Sequence, residues 1–255
     1  MSIQEGYVEL HKENNGVGTI TFFHPQSNSL PSHLLNKLAK TINNASDDEN
    51  IKVIVLKSGG DRTFCAGASF DELKAISNKK EGIEFFSGFA KVINASRKCK
   101  KIILGRVQGK AVGGGVGMAS AVDYCFATKY ASVKLSELAI GIGPFVVGPA
   151  VERKMGLAAM STLAINATEW FDANWAREKG LFSEVFNDAE LMDQHIMKLS
   201  NQIAQSHDKA TVALKKIFWE GTENWDDLLL ERAKISGELI LADFSKNAIK
   251  KIQSK

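Results

Sequence analysis

Apolar positions along the chain fall into alternating stretches, short solid runs and helical repeats. Residues 7–11 (Tyr-Val-Glu-Leu-His) and 17–23 (Val-Gly-Thr-Ile-Thr-Phe-Phe) read as strands, with Asn14-Asn15-Gly16 as a turn between them. That pattern predicts a hairpin. Pro31 suits a first helical turn, and Leu34, Leu35, Leu38 and Ile42 recur at helical spacing, predicting a helix to about Asn44. Residues 51–56 read as a buried strand and 102–107 as a second apolar strand. Between them, 72–79 and 81–98 are predicted helices, the longer with Ile83, Phe86, Phe89, Val92 and Ile93 on one stripe.

Further on, 124–127 reads as a strand and 133–137 as a strand-like piece. Residues 140–147 hold Gly141, Gly143 and Pro144 and read as a structured loop. Helices are predicted over 149–155, 157–165 and 172–179, the last closed by Gly180, followed by a strand over 181–186. From there the chain reads as helices, 189–205, 208–219 and 224–241, with a basic tail after Asp243. Alternating strands and helices followed by helices alone predict an α/β core over residues 1–190 and a helical region over 191–255. No Pro/Gly-rich linker divides them, so the helical region is expected to pack on the core or on a neighbouring subunit.

Composition narrows the classes. The 255 residues are 44% hydrophobic and 24% charged, with a net charge of +3, as in an ordinary globular protein. The basic residues are scattered among acidic ones, which argues against a nucleic-acid partner. Cys65, Cys99 and Cys125 are odd in number and lack a CxxC pattern, against a disulfide framework or zinc site. The five histidines show no metal spacing. Residues 1–6 lack the basic-then-apolar pattern of a signal peptide, and no apolar run reaches membrane-spanning length. A cytoplasmic location without a membrane partner is the expectation.

The chemistry concentrates at residues 113–117, Gly-Gly-Gly-Val-Gly, between the 102–107 strand and a small-residue helix predicted over 116–122. Glycines let the backbone turn and approach another group closely, and helix-start N–H groups suit a developing negative charge. A close-packed strand-to-helix turn is the other reading of the same residues. A second small-residue turn spans 63–70, Thr-Phe-Cys-Ala-Gly-Ala-Ser-Phe.

Together, Phe64-Cys65-Ala66-Gly67-Ala68, the 107–115 stretch Val-Gln-Gly-Lys-Ala-Val-Gly-Gly-Gly, and the 135–141 stretch Leu-Ser-Glu-Leu-Ala-Ile-Gly resemble the enoyl-CoA hydratase/isomerase (crotonase) family. Residues 173–181 resemble its later Ala-rich helix and Gly-Leu turn. The resemblance implies a spiral of β-β-α units with a C-terminal helical region at a trimer interface, and trimers that pair into hexamers. It implies acyl-CoA thioester substrates, as in fatty acid metabolism, with no separate cofactor. It also implies that the amides of Ala68 and Gly114 bind the thioester oxygen and that Glu137 is the acid/base. Arg62, Ala66, Gly67, Ala68, Phe70, Gly114 and Phe145 are the implied contacts to substrate and CoA. Arg62 is expected near a phosphate, or simply on the surface.

Two-glutamate members carry a first Glu where this chain has Gly117. One carboxylate suffices to move a double bond, whereas hydration is easier with two groups, so the chemistry alone leans to an isomerase. The 113–118 and 135–137 stretches, 141–144 (Gly-Ile-Gly-Pro) and Pro149 resemble the bacterial methylglutaconyl-CoA hydratase branch. That branch also has Gly at the first-Glu position, which shifts the expectation to a hydratase. It typically has Ala and Thr after the proline, where this chain has Phe145 and Val146. Ser69 replaces the usual Asp. Asp71 and Glu72 then either enter the site or favour a helix start, and Lys250 and Lys251 either meet CoA phosphates or form a solvated helix end. Other enolate chemistry, thioester hydrolysis or decarboxylation, and a non-catalytic CoA-binding scaffold remain as alternatives.

Overall fold

The computed structural model describes residues 5–253, so the leader-peptide reading falls mostly on residues outside it. A six-stranded sheet is laid down by β1 (Tyr7–Lys12), β2 (Val17–Phe23), β3 (Val53–Ser58), β5 (Ile102–Val107), β7 (Tyr124–Thr128) and β10 (Glu184–Phe186), in that spatial order. β1 and β2 form the predicted antiparallel hairpin, and every later pair is parallel. A second sheet has the order β4 (Thr63–Cys65), β6 (Lys110–Val112), β8 (Ser132–Lys134) and β9 (Phe171–Asp172). Each of β3, β5 and β7 thus hands the chain to a short strand of the second sheet, and this is the β-β-α spiral.

Helices cover both faces of the large sheet, which is why its strands read as solid apolar runs. Ile54, Leu56 and Ile103 pack toward α1 (Ser32–Asp47) and α3 (Lys79–Lys98). Val53, Val55, Ile102 and Leu104 alternate to the other face, against Met192 and Ile196 of α7 (Ala189–Ala204). α9 (Trp225–Leu239) lies along α3 so closely that a Cβ on Gly82 would stand 2.8 Å from Gly237 Cα.

Several boundaries differ from the sequence reading for local reasons. α2 begins earlier, at Phe70, and ends at Ala75, because Ser69 caps it by accepting from the Glu72 amide at 3.3 Å. The two helices expected over 149–165 run as α5 (Gly148–Ile165), kinked at Gly156 with φ +80°. α6 (Ala173–Glu178) is capped by Asp172. The strand-like reading through Glu137 fails: β8 stops at Lys134, and Glu137 opens a 3-10 turn, Glu137–Ile140. The basic tail is α10 (Asp243–Gln253), which folds back over that turn, with Ile249 in an apolar cluster with Leu73, Phe85, Ile142 and Ile240.

One buried ion pair ties α8 (Asp208–Phe218) to the sheet. Lys215 Nζ lies 2.7 Å from Asp123 Oδ2, both side chains being only 2% exposed. Asp123 also accepts from the Ile103 amide at 2.7 Å and from Trp219 Nε1 at 2.9 Å. Removing the carboxylate would strand a buried ammonium, so Asp123→Ala is expected to lose about 3–5 kcal/mol in chemical denaturation.

Candidate active site

Three consecutive turns of the spiral meet at one place. β4, β6 and β8 are neighbouring strands of the small sheet, paired parallel, so the segments that leave their C-terminal ends lie side by side. They carry Ala66–Ala68, Gly113–Gly114 and Ser136–Glu137, and all of these line one cavity of about 390 Å³.

The backbone there is arranged to leave amides free. Leu30 donates to Gly67 O at 2.8 Å and accepts from Ser69 N at 3.0 Å, bracketing Ala68. The amide of Ala68 itself donates to no backbone group among the described residues. Gly114 is the first residue of α4 (Gly114–Ser120), where a helical N–H has no acceptor within its own helix. The two loops touch: a Cβ placed on Gly67 would lie 3.9 Å from Gly114 N. Gly67 has φ +94° and Gly113 has φ +52°, conformations that glycine tolerates and other residues rarely adopt. The Gly113 amide donates to Lys134 O at 2.9 Å, locking the β6 and β8 exits together.

Packing explains why these positions are small. A Cβ on Gly114 would come within 2.2 Å of the Phe89 ring, and one on Gly115 within 2.5 Å of Cys65 O. At Gly117, the position of the absent first glutamate, a Cβ would meet Val147 Cγ1 at 2.5 Å, with Ile93 Cδ1 beyond at 3.6 Å. The space a first glutamate would occupy is filled by hydrocarbon.

Glu137 borders the same turn, its Oε1 2.9 Å from the place of a Cβ on Gly113. Its Oε2 is buried with no hydrogen-bond partner. Burial disfavours the charged form and raises the carboxyl from its ordinary 4.5 to about 7, slightly opposed by a hydrogen bond from its own backbone. Glu137 and Lys134 are the only ionisable side chains on the cavity wall, among the described residues. Lys134 Nζ is engaged, donating to Thr168 O at 2.7 Å.

The structure therefore brings together Glu137, Ala66, Gly67, Ala68, Phe70, Gly114 and Phe145 around one cavity. Arg62 is not among them. It lines an adjoining cavity with His24, Lys110 and Trp170, and Ala66 and Val112 border both spaces. Asp71 pairs with Lys74 at 2.7 Å, and Glu72 accepts from Ser32 N and Oγ at 2.9 and 2.6 Å, so neither lines the Glu137 cavity. Lys250 and Lys251 close the last turn of α10. Cys65 is buried and its thiol is pushed up to about 12 by desolvation, which leaves it unreactive. Phe89 and Val147, which shape the site most directly, were not among the expected residues. Phe89 showed only as one position on an amphipathic stripe, and nothing in the sequence marked Val147.

No group of His, Cys, Asp and Glu among the described residues is placed to hold a metal ion, and no described helix is long and apolar enough to cross a membrane. The three turns of the β-β-α spiral thus set a buried carboxyl beside two amides that have no backbone acceptor among the described residues. The profile of the enoyl-CoA hydratase/isomerase family matches residues 12–251, and the chain belongs to that family. The carnitinyl-CoA dehydratase of Salmonella enteritidis PT4 is 27% identical over 219 residues, covering 82% of this chain and 79% of that protein. The carnitinyl-CoA dehydratase of Escherichia coli K12 is 27% identical over 223 residues with the same coverage. Among solved structures, an enoyl-CoA hydratase from Bacillus halodurans superposes with TM-score 0.88 at 20% identity, covering 96% of this chain and 99% of that one. An enoyl-CoA hydratase/carnithine racemase from Magnetospirillum magneticum gives 0.77 at 22% identity, covering 85% and 80%.

The raised carboxyl has a thermodynamic consequence. Folded Glu137 holds its proton to about 7, and the unfolded residue releases it near 4.5, so folding takes up a proton between those values. Stability contributed at this position falls as pH rises through that window. Glu137→Gln, which stays neutral, is expected to match wild type in thermal melts near pH 4 and to exceed it at pH 8.

Proposed function

We propose that the protein catalyses proton transfer on an enoyl-CoA thioester, with Glu137 as the acid/base and the amides of Ala68 and Gly114 as donors to the thioester oxygen. Taking a proton from the carbon beside the thioester sends its electron pair toward that oxygen. Fixed N–H donors stabilise the resulting enolate more than the starting carbonyl, and one such donor is worth on the order of 10²–10³ in rate. A carboxyl near 7 exists in both forms at neutral pH, so it can take a proton and return it.

The observation that carries the finer reading is Val147 against Gly117. With hydrocarbon at that position, Glu137 is the one carboxyl on the cavity wall among the described residues. A double-bond shift asks for no more: the carboxylate removes a proton from one carbon and redelivers it to another, and no atom is gained or lost. We therefore place isomerisation first. Hydration or its reverse is the second reading, supported by the likeness to carnitinyl-CoA dehydratases. Glu137 would then both activate water and supply the proton. Self-association through the C-terminal helices belongs to the same proposal and is supported by Leu214, Ile217 and Phe218, which α8 leaves exposed.

Incubation with a 3-enoyl-CoA and with crotonyl-CoA, followed by mass spectrometry, separates the readings. Unchanged mass with a conjugated product supports the isomerase, and gain of one water supports the hydratase. Glu137→Gln is expected to lose at least about 10²-fold in kcat while KM changes little. A variant turning over at the wild-type rate would remove Glu137 from the chemistry.

A further inference from the structure

We infer that the acyl group this site takes is apolar, with the bulk of a ring or a medium chain, and that a carboxylated acyl chain is rejected. The inference rests on the reading of the cavity as an acyl-CoA site.

The wall facing Glu137 is aromatic and unusually free of polar partners. Phe85 and Phe86 meet edge to face, ring centroids 5.0 Å apart. Phe145 folds back across the chain so that a Cβ on Gly143 would touch its ring at 2.4 Å. Phe70, Phe89, Leu73 and Ile142 line the same space. Leu73 and Ile142 are packed in one apolar cluster with Ile240 and Ile249. The other polar side chains on the lining, Ser136, Thr168 and Ser236, are neutral. Lys134, the single cation, is bound to Thr168 O and lies 5.4 Å over the ring of Trp170, which borders the adjoining cavity. A carboxylate seated among the phenylalanine rings would thus be desolvated and would gain a counter-ion only by drawing the Lys134 ammonium away from Thr168 O and the Trp170 ring, which is unfavourable. Glu137, when ionised, would repel it as well.

Size points the same way. An apolar cavity of about 150 Å³ lined by Leu, Ile and Phe accepts benzene. The cavity here is about 390 Å³, which leaves room for a ring-sized group beside the thioester. Phe145 and Val146, the two residues after Pro144, add further hydrocarbon to the lining.

Calorimetric titration of the full-length protein with saturated thioesters, which cannot react, tests this without relying on turnover. Hexanoyl-CoA and 3-phenylpropanoyl-CoA are expected to bind on the order of 100-fold more tightly than glutaryl-CoA. The same ranking is expected in Glu137→Gln, because the discrimination comes from the unpaired wall. Binding of glutaryl-CoA within about tenfold of hexanoyl-CoA would overturn the inference. So would disappearance of the preference in Glu137→Gln, or failure of every thioester to bind better than CoA itself. Absence of turnover with the binding order intact would instead strike only the catalytic reading, so the two failures are distinguishable.

Discussion

A carboxyl oxygen with no hydrogen-bond partner, buried beside a glycine backbone, is the constraint around which this molecule is arranged. Glu137 Oε2 has no neighbour to share its charge, and desolvation holds its proton to about 7. Nothing about a surface glutamate would produce that. It follows from three short strands, β4, β6 and β8, whose parallel pairing delivers their exits to one spot. The first two exits supply amides without a backbone acceptor among the described residues, and the third supplies the carboxyl. The large sheet, buried on both faces, is the rigid support that fixes these strands in register.

Glycine at the β6 exit is required for more than flexibility. Phe89 lies where a side chain on residue 114 would go, and Val147 lies where one on residue 117 would go. Phe89 and Val147 both also line the cavity that Glu137 borders, so the packing that keeps residues 114 and 117 small is part of the same apolar wall.

Much of this was legible in the sequence, and the parts that were not share a cause. Residues 51–56 and 102–107 were readable because strands covered on both faces need solid apolar runs. α1 was readable because one face repeats at Leu34, Leu35, Leu38 and Ile42. Lys110–Val112 went unread as a strand, since three residues carry no periodicity and β6 exists through its neighbours. Glu137 reads in the sequence as the end of a strand, although its 3-10 turn is closed by Gly141 in the left-handed region and overlain by α10. Ala68, Gly114 and Glu137 were named from the wording of their motifs. Their convergence, and the contacts of Val147 and Phe89 that shape the space, arise between segments far apart in the chain. Arg62 and Ala66 flank β4 at its two ends, and Arg62 lines only the adjoining cavity while Ala66 borders both.

The most direct test is a crystal structure of the protein with an unreactive, uncharged acyl-CoA thioester. The thioester oxygen is expected within hydrogen-bond distance, about 2.7–3.2 Å, of both Ala68 N and Gly114 N. The adjacent carbon is expected against the Glu137 carboxyl, with the acyl chain among Phe85, Phe86 and Phe145. A thioester oxygen bound elsewhere, or an acyl chain directed into the cavity that holds Arg62 with Glu137 out of reach, would contradict it.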